Sequence, residues 1–244
     1  MKQMIKRLLG ILLSVALLAA LTACGNASGG KSDDTSLTPP ATTQETQEST
    51  ENTPDTESPE SGDNTETDTS GSNILVAYFS LAGEQYGVGV IEEGNTSIIA
   101  HMIAEQTGAD LFEIEAVTPY PESHSELLSV SRQEMSENAR PAIVGTVENM
   151  ADYDTVFIGY PNWWGDMPMI VYNFLESYDF SDKTVIPFCT HGGSGLSGTE
   201  STIAELTGAN MLDGFAISGE TAQNDRDRSR NEVDSWLNEI GMAE

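Results

Sequence analysis

Five short apolar stretches, separated by segments of helical periodicity, constrain the fold of this chain more than any other feature of its sequence. Each stretch is rich in branched and aromatic side chains and shows little polar alternation, which is typical of strands buried on both faces of a parallel sheet. The alternation of such strands with helices predicts an α/β fold, a doubly wound five-stranded parallel sheet in a three-layer sandwich. The predicted strands are residues 74–79, 111–117, 155–160, 184–189 and 215–218.

Four segments between and after these strands carry apolar residues at helical spacing. The last is the clearest, with apolar side chains at positions 233, 236, 237 and 240. Gly108 and Gly208 are placed as the C-terminal glycines of two of the helices. In an open sheet of this kind, ligands bind beyond the carboxyl ends of the strands, near the point where the strand order reverses. We therefore expect a functional site in loops that follow the predicted strands.

The composition divides the chain into three pieces, and only the last is predicted to be globular. Residues 1–24 carry basic residues and then an apolar run shorter than the roughly 20 residues that span a bilayer, as in a secretory signal peptide. Residues 25–72 hold eleven acidic residues, one Lys and three apolar side chains, which predicts a disordered acidic linker rich in Ser, Thr and Pro. Residues 73–244 form the predicted domain.

The end of the signal segment, Leu21 to Gly25 with Cys24 before the glycine, resembles the lipobox of bacterial lipoproteins. The resemblance implies cleavage before Cys24 and lipidation of its thiol by diacylglycerol carrying fatty acids such as palmitate. It also implies a protein that is lipid-anchored at the outer face of the bacterial cytoplasmic membrane. The alternative is an ordinary signal peptide with an incidental cysteine.

The net charge of the chain is −29, and it argues against nucleic acid as a partner because phosphate backbones are bound by basic surfaces. The predicted domain holds 28 of the 39 acidic residues and six of the ten basic residues, which gives it a net charge of −22. Cys189 is its only cysteine, so no disulfide within the domain is predicted.

The first candidate loop follows residues 74–79 and leads into a helix. Hydroxyls and free backbone N–H groups at a helix N-terminus form an anion site. No Lys or Arg occurs between Lys31 and Arg132, which excludes a P-loop lysine and leaves neutral donors and the helix dipole to hold a phosphate. The alternative is that Asn95 or Thr96 merely caps the helix. The candidate binding residues are Ser80, Gly94, Asn95, Thr96 and Ser97.

The second candidate loop follows residues 155–160 and contains two adjacent tryptophans. Neighbouring residues of extended backbone face opposite ways, so the two indoles cannot both enter a core. At least one is expected at the surface, where a planar ligand would cover it, although an indole that covers the sheet edge is the alternative. The candidate binding residues are Pro161, Asn162, Trp163, Trp164 and Gly165.

The third candidate loop follows residues 184–189 and is rich in glycine, which permits the close approach of a flat ligand and offers N–H donors. Its histidine is either a catalytic acid or base or a residue that shapes the loop. A Ser–His–Asp hydrolase is disfavoured because no G-x-S-x-G elbow lies at a strand-to-helix turn. The candidate binding residues are Thr190, His191, Gly192, Gly193, Ser194 and Gly195.

Together these three loops resemble the FMN loops of the flavodoxin family, especially its bacterial flavodoxin-like FMN reductase branch. The resemblance covers nearly all of residues 74–240. It implies that Ser80, Asn95 and Thr96 contact the FMN phosphate and that residues 161–165 lie along the isoalloxazine, with Trp164 or else Trp163 stacked on the ring. Residues 190–195 would then cover the other polar edge of the ring.

The resemblance implies an FMN-dependent electron-transfer flavoprotein that reduces a quinone or another small acceptor. Two alternatives stay open: a carrier of single electrons between protein partners, and an adhesion or scaffold module that has lost its flavin. The electron donor and acceptor are not identified by the sequence, and no metal ligands or catalytic residues are assigned.

Typical members lack the thirteen inserted residues 81–93, in which Tyr86 either reaches the flavin or a substrate or is free in solvent. Asp166, Glu92 and Glu93 lie in or beside the loops and no Lys or Arg lies in them, so the fully reduced anionic flavin is expected to be disfavoured by uncompensated negative charge.

Overall fold

In the computed structural model the described residues are 73–243, so the predicted signal peptide, the linker and Cys24 lie outside them. Strands and helices alternate along most of this part of the chain. The strands are β1 (Ile74–Tyr78), β2 (Gly83–Gln85), β3 (Gly89–Ile91), β4 (Asp110–Glu113), β5 (Thr155–Pro161), β6 (Thr184–His191), β7 (Asn210–Met211) and β8 (Phe215–Ser218). The helices are α1 (Asn95–Thr107), α2 (His124–Glu137), α3 (Met169–Glu176), α4 (Thr199–Thr207), α5 (Gly219–Asn224) and α6 (Arg226–Glu239), with a 3-10 turn at Met150–Asp152.

The main sheet is parallel throughout and has five positions, in the order β4, β1, β5, β6 and then β7 with β8. The two last strands share the fifth position, because β7 pairs with the start of β6 and β8 pairs with its end. The predicted α/β fold with a five-stranded parallel sheet is therefore confirmed. After β1 the chain moves to one side of it to form β4 and then returns to the other side to form β5. The strand order thus reverses between β1 and β5, where ligands of such sheets bind.

Helices cover both faces of the sheet, and alternate residues of each strand enter different cores. Leu75 and Ala77 pack on the side of α3 and α4, in a cluster that includes Phe174. Their neighbours Val76 and Tyr78 pack on the side of α1 and α6. This two-sided burial explains why the central strands read as continuous apolar runs, and Gly108 ends α1 in the predicted left-handed conformation.

The second predicted strand, residues 111–117, is shorter in the structure. It corresponds to β4, which ends at Glu113 and lies at the edge of the sheet. Only β1 pairs with it, and Leu111 and Val117 are 42% and 58% exposed. Helix α2 was not predicted at all, because Leu127 and Ser131 are its only buried residues and it lacks an apolar stripe. Within residues 73–243, each helix is too short or too polar to span a bilayer.

The inserted residues between β1 and α1 form an ordered antiparallel hairpin of β2 and β3. Glu84 in β2 is hydrogen-bonded to the segment before α2: its N–H donates to the carbonyl oxygen of Glu122 at 2.8 Å. A Cβ atom on Gly83 would lie 2.9 Å from that same oxygen, so the two segments approach more closely than another residue would allow. The hairpin is therefore held against the start of α2.

Candidate functional site

A cavity of about 500 Å³ lies at the carboxyl ends of β5 and β6, beside the N-terminus of α1. It is lined by ten of the sixteen residues that the sequence predicted to bind a ligand. We call these ten residues the loop wall: Asn95, Pro161, Asn162, Trp163, Trp164, Gly165, Thr190, His191, Gly192 and Ser194. The other six predicted residues lie beside the cavity without lining it: Ser80, Gly94, Thr96, Ser97, Gly193 and Gly195.

The opposite side of the cavity comes from the hairpin and from α2. Among the residues on this side, the sequence analysis named only Tyr86, and it assigned none of them to cofactor binding. Gly219, at the start of α5, completes the lining, which within residues 73–243 contains no Asp, Glu, Lys or Arg side chain. We call this side the hairpin wall: Gln85, Tyr86, His124, Leu127, Leu128 and Ser131.

A residue from the loop after β1 satisfies an N–H group in the first turn of α1. The N-cap position is Gly94, and the Ser80 hydroxyl accepts a hydrogen bond from the N–H of Ser97 at 3.0 Å, so neither Asn95 nor Thr96 caps the helix with its side chain. The Thr96 hydroxyl is buried and pairs with the Thr190 hydroxyl at 2.9 Å, which joins the first loop to the third. A Cβ on Gly94 would lie 2.2 Å from Ser80 Oγ, so this close approach requires glycine.

Asn95 presents a polar atom that the protein leaves without a partner. Its Oδ1 is buried and makes no hydrogen bond within the described residues, although Asn95 lines the cavity. Its amide fits against Gly219, where a Cβ would lie 2.5 Å from Asn95 Nδ2. An unpaired buried polar atom costs about 1–3 kcal/mol, and a ligand that hydrogen-bonds to it recovers that cost. Such an atom suits a cavity that binds a polar ligand.

The two tryptophans of the second loop have different environments, as predicted from their adjacency. Trp163 packs edge to face against Phe79 and Tyr120, with ring centroids 5.5 and 5.6 Å apart. Trp164 is 43% exposed, and its Nε1 donates to Ser131 Oγ at 3.1 Å. The separation arises from a tight turn in which Trp164 and Gly165 both have positive φ, 60° and 84°. Both indoles line the cavity, and Trp164 is the more exposed of the two.

Asn162 organises the loop wall. Its Nδ2 donates to the carbonyl oxygen of Gly195 at 2.8 Å and to Ser197 Oγ at 3.0 Å. Its Oδ1 accepts from the N–H of Gly165 at 3.0 Å. Because these bonds use both Nδ2 hydrogens and one of the two Oδ1 lone pairs, Asn162 fixes the second loop against the third.

His191 shapes the third loop, which supports one of the two roles considered for it. Its Nδ1 accepts a hydrogen bond from the N–H of Gly193 at 2.9 Å, and this places the ring proton on Nε2. Burial lowers the pKa of His191, so the neutral form is favoured. Burial also raises the pKa of Cys189 to about 12, and its thiol donates to the carbonyl oxygen of Gly195 at 3.3 Å.

The charges around the loop wall differ from the expectation that acidic neighbours stand uncompensated. The guanidinium of Arg132, on α2, lies 4.1 Å from the centroid of the Trp164 ring. The Asp166 carboxylate accepts a hydrogen bond from the Tyr172 hydroxyl at 2.9 Å, and Glu93 pairs with Arg226 at 3.3 Å. Arg132 lies on α2, outside the three loops, so the loop sequences alone do not indicate it.

Comparison with known proteins places these features in a family context. A family model described as flavodoxin matches residues 73–240. Crystal structures of candidate flavoproteins from Bacteroides eggerthii DSM 20697 and Bacteroides uniformis ATCC 8492 are each 32% identical to this chain with a TM-score of 0.55. Both cover 69% of this chain, which in turn covers 97% and 99% of theirs.

A flavoprotein from Lactobacillus acidophilus NCFM, solved in complex with FMN, shares the fold at 19% identity and a TM-score of 0.50, with 69% of this chain and 97% of that chain covered. Among curated proteins no relative matches.

Proposed function

The chain belongs to the flavodoxin family, and we propose that its domain binds FMN in the cavity and transfers electrons through it. The observation that carries the proposal is the convergence of three strand-end loops on one cavity, to whose lining residues 73–243 contribute no Asp, Glu, Lys or Arg side chain. The cavity volume of about 500 Å³ lies within the ordinary range for cofactor and ligand sites. The FMN-bound flavoprotein of the same fold supports this choice of cofactor.

The phosphate of FMN would be held at the N-terminus of α1 by neutral donors. Ser80 Oγ accepts from Ser97, which leaves its own hydroxyl hydrogen available to donate to an anion. The helix dipole favours negative charge at this end. Asn95 adds an amide whose Oδ1 has no partner among residues 73–243, and it suits a ligand that carries hydroxyl donors.

The isoalloxazine would lie along the exposed Trp164 indole and the backbone of the third loop. When bound, FMN supplies the redox chemistry, and the protein supplies binding, orientation and electrostatics. Trp164 is oriented by the hydrogen bond to Ser131. His191 keeps its proton on Nε2 because Nδ1 is occupied by Gly193, and a neutral His191 offers a donor to a carbonyl edge.

We propose reduction of a quinone or another small acceptor as the activity, with an electron carrier between proteins as the second candidate. A concave cavity between the loop wall and the hairpin wall favours a small acceptor, because small molecules bind in clefts. The net charge of −22 on residues 73–244 favours a carrier, because negative surfaces steer basic protein partners.

The test uses the full chain loaded with FMN and reduced by dithionite under anaerobic conditions. The reduced protein is mixed either with menadione, a small quinone, or with cytochrome c, a basic protein. Faster reoxidation by menadione supports the enzyme, and faster reoxidation by cytochrome c supports the carrier. A protein that is purified without colour and takes up no added FMN refutes both.

We also propose that Cys24 carries a lipid that anchors the protein at the outer face of the cytoplasmic membrane. Stable anchoring requires two acyl chains or an additional signal, and a diacylglycerol supplies two chains. Cys24→Ala should therefore release the protein from the membrane fraction of expressing cells while FMN binding is unchanged. Equal sedimentation of Cys24→Ala and wild type with membranes contradicts the anchor.

A further inference from the structure

Arg132 differs from the other arginines of residues 73–243 in what its guanidinium contacts. Its central carbon lies 4.1 Å from the centroid of the Trp164 ring, and within this part of the chain it forms no ion pair. The contrast singles out Arg132, because residues 73–244 hold 28 acidic residues against six basic ones. The other four arginines each pair with a glutamate carboxylate: Arg140 with Glu176, Arg226 with Glu93, Arg228 with Glu232 and Arg230 with Glu105.

Two consecutive residues of α2 hold the Trp164 indole. Ser131 Oγ accepts a hydrogen bond from Trp164 Nε1 at 3.1 Å, which fixes the edge of the indole. Arg132 covers a face of the same ring. Trp164 and Ser131 line the cavity whereas Arg132 does not, so the guanidinium contacts the indole from outside the cavity. The part of Trp164 that borders the cavity therefore stays open to a flat ligand.

The position of Arg132 matters because positive charge is scarce around the cavity. The lining within residues 73–243 includes no Lys or Arg side chain. Burial lowers the pKa of His191, so its neutral imidazole adds no charge. Glu93 and Asp166, the acidic residues beside the first and second loops, already bond to other side chains. Among the described arginines, the one without a carboxylate partner is thus one that touches a residue of the lining.

Reduction changes the charge of a flavin and thereby its interaction with a nearby cation. When two electrons and one proton are added to the neutral isoalloxazine, the product carries one negative charge. A cation near the ring therefore favours the reduced form over the oxidised form. The phosphate of FMN has the same charge in both forms, so its attraction to Arg132 cancels when the two forms are compared.

We propose that the charge of Arg132, placed against Trp164, raises the affinity of the site for reduced FMN relative to oxidised FMN. The inference rests on the proposed function and deepens it, because it names a residue outside the three loops that sets how readily the bound flavin accepts electrons. Arg132 contacts Trp164 and lies outside the cavity, so it is a positioning residue rather than a catalytic one.

The test measures the two-electron midpoint potential of FMN bound to the full chain, by anaerobic reduction in the presence of a reference dye. Arg132→Met keeps a long unbranched side chain but removes the charge. It should weaken reduced FMN relative to oxidised FMN by about three- to tenfold, because solvent partly screens the exposed guanidinium. For two electrons this change lowers the midpoint potential by about 14–30 mV. A change in packing that weakens both forms equally leaves the potential unaltered.

Three controls isolate the charge of Arg132. Arg132→Lys keeps the charge without the planar guanidinium and should restore most of the wild-type potential. Arg228 lies on α6, its side chain is 62% exposed and it does not line the cavity, so Arg228→Met removes a charge elsewhere and should keep the wild-type potential. Raising the ionic strength from about 10 mM to 1 M should shrink the difference between Arg132→Met and the wild type, because the Debye length falls from about 30 Å to about 3 Å.

The inference is overturned if Arg132→Met and the wild type bind FMN with the same midpoint potential. It is also overturned if Arg228→Met shifts the potential as far as Arg132→Met does, because net charge would then be the cause. A potential in Arg132→Lys that equals that of Arg132→Met contradicts a role of the charge. Absence of FMN binding by the wild type is a different outcome, and it refutes the proposed function together with this inference.

Discussion

The loop wall and the hairpin wall face the same cavity but are built differently. In the loop wall most polar side chains bond to other parts of the protein, as Thr190 does with Thr96 and Asn162 with Gly195. In the hairpin wall Tyr86 is largely exposed and His124 Nδ1 has no partner within the described residues. The loop wall is therefore a frame held by hydrogen bonds with a few open positions, whereas the hairpin wall exposes the Tyr86 ring and leaves His124 Nδ1 unpaired within the described residues.

The same contrast exists within two consecutive residues of the second loop. Trp163 belongs to the frame, because it packs on Phe79 and Tyr120, and Trp164 belongs to the open surface, because 43% of it is exposed. Substitutions that affect the frame should lower stability. Substitutions of open positions should lower ligand affinity and leave stability almost unchanged.

The largest effect on stability is expected for Trp163→Ala, which removes an indole packed against two aromatic rings. It should lower the free energy of unfolding by about 3 kcal/mol, as for other large-to-small changes in packed sites. Trp164→Ala should change stability by less than about 1 kcal/mol but weaken FMN by about 1–3 kcal/mol, by analogy with base–aromatic stacking. Urea denaturation and FMN titration of both variants check the pair. Equal losses of stability in Trp163→Ala and Trp164→Ala would contradict the distinction between a packed and an open tryptophan.

A second pair compares two glycines of the candidate loops, Gly94 packed against backbone and Gly192 packed against the hairpin wall. A Cβ on Gly94 would meet the backbone oxygen of Leu81 at 2.7 Å, which cannot move aside, so Gly94→Ala should cost about 1–3 kcal/mol of stability. A Cβ on Gly192 would meet only the exposed ring of Tyr86, which can swing away. Gly192→Ala should therefore leave the urea midpoint near that of the wild type. If Gly192→Ala lowers stability more than Gly94→Ala does, the Tyr86 ring cannot move away and the hairpin wall is rigid at this point.

Thr96→Val tests the junction between the first and third loops. The change keeps the shape but removes a buried hydroxyl that is bonded to Thr190 and does not line the cavity. Because Thr190 does line the cavity, FMN and riboflavin should both bind about three- to tenfold more weakly. The check is a pair of equilibrium titrations. Loss of FMN affinity with riboflavin affinity unchanged would show that the Thr96 hydroxyl contacts the phosphate instead.

The smallest effect is expected from the titration of His191. Its ordinary pKa is 6.5, and burial lowers this value in the folded protein. Between the two pKa values the unfolded chain binds more protons, so the free energy of unfolding should fall as the pH drops below 6.5 through this window. His191→Gln should lack this part of the pH dependence. Urea denaturation at several pH values measures it, and identical profiles for both proteins would contradict the buried neutral imidazole.

The central strands and the loop wall are predictable because their signals are local in the sequence. A strand buried on both faces reads as an apolar run, and the loop that follows it is placed at the carboxyl edge by the parallel topology. Ten of the sixteen predicted binding residues line the cavity for this reason. The second predicted strand extends beyond the observed end of β4. Leu111 and Val117 are apolar in the sequence and read as buried strand residues, but at the edge of the sheet they are 42% and 58% exposed.

The hairpin wall was not predictable because its parts are distant in sequence and weakly patterned. Strands β2 and β3 have three residues each, which is too short for a visible alternation. Helix α2 buries only two residues, so it has no apolar stripe. The contacts of Trp164 with Ser131 and Arg132 join segments more than thirty residues apart, and no spacing in the sequence indicates them.

The most direct test of this account is a titration of FMN with the full chain, followed by flavin fluorescence. If the isoalloxazine stacks on the open indole of Trp164, the fluorescence should be largely lost at one equivalent of protein. Flavin bound to Trp164→Ala should recover part of that fluorescence at saturating protein. Fluorescence that stays unchanged at a large excess of wild-type protein, with FMN still dialysable, would contradict the claim that this cavity is a flavin site.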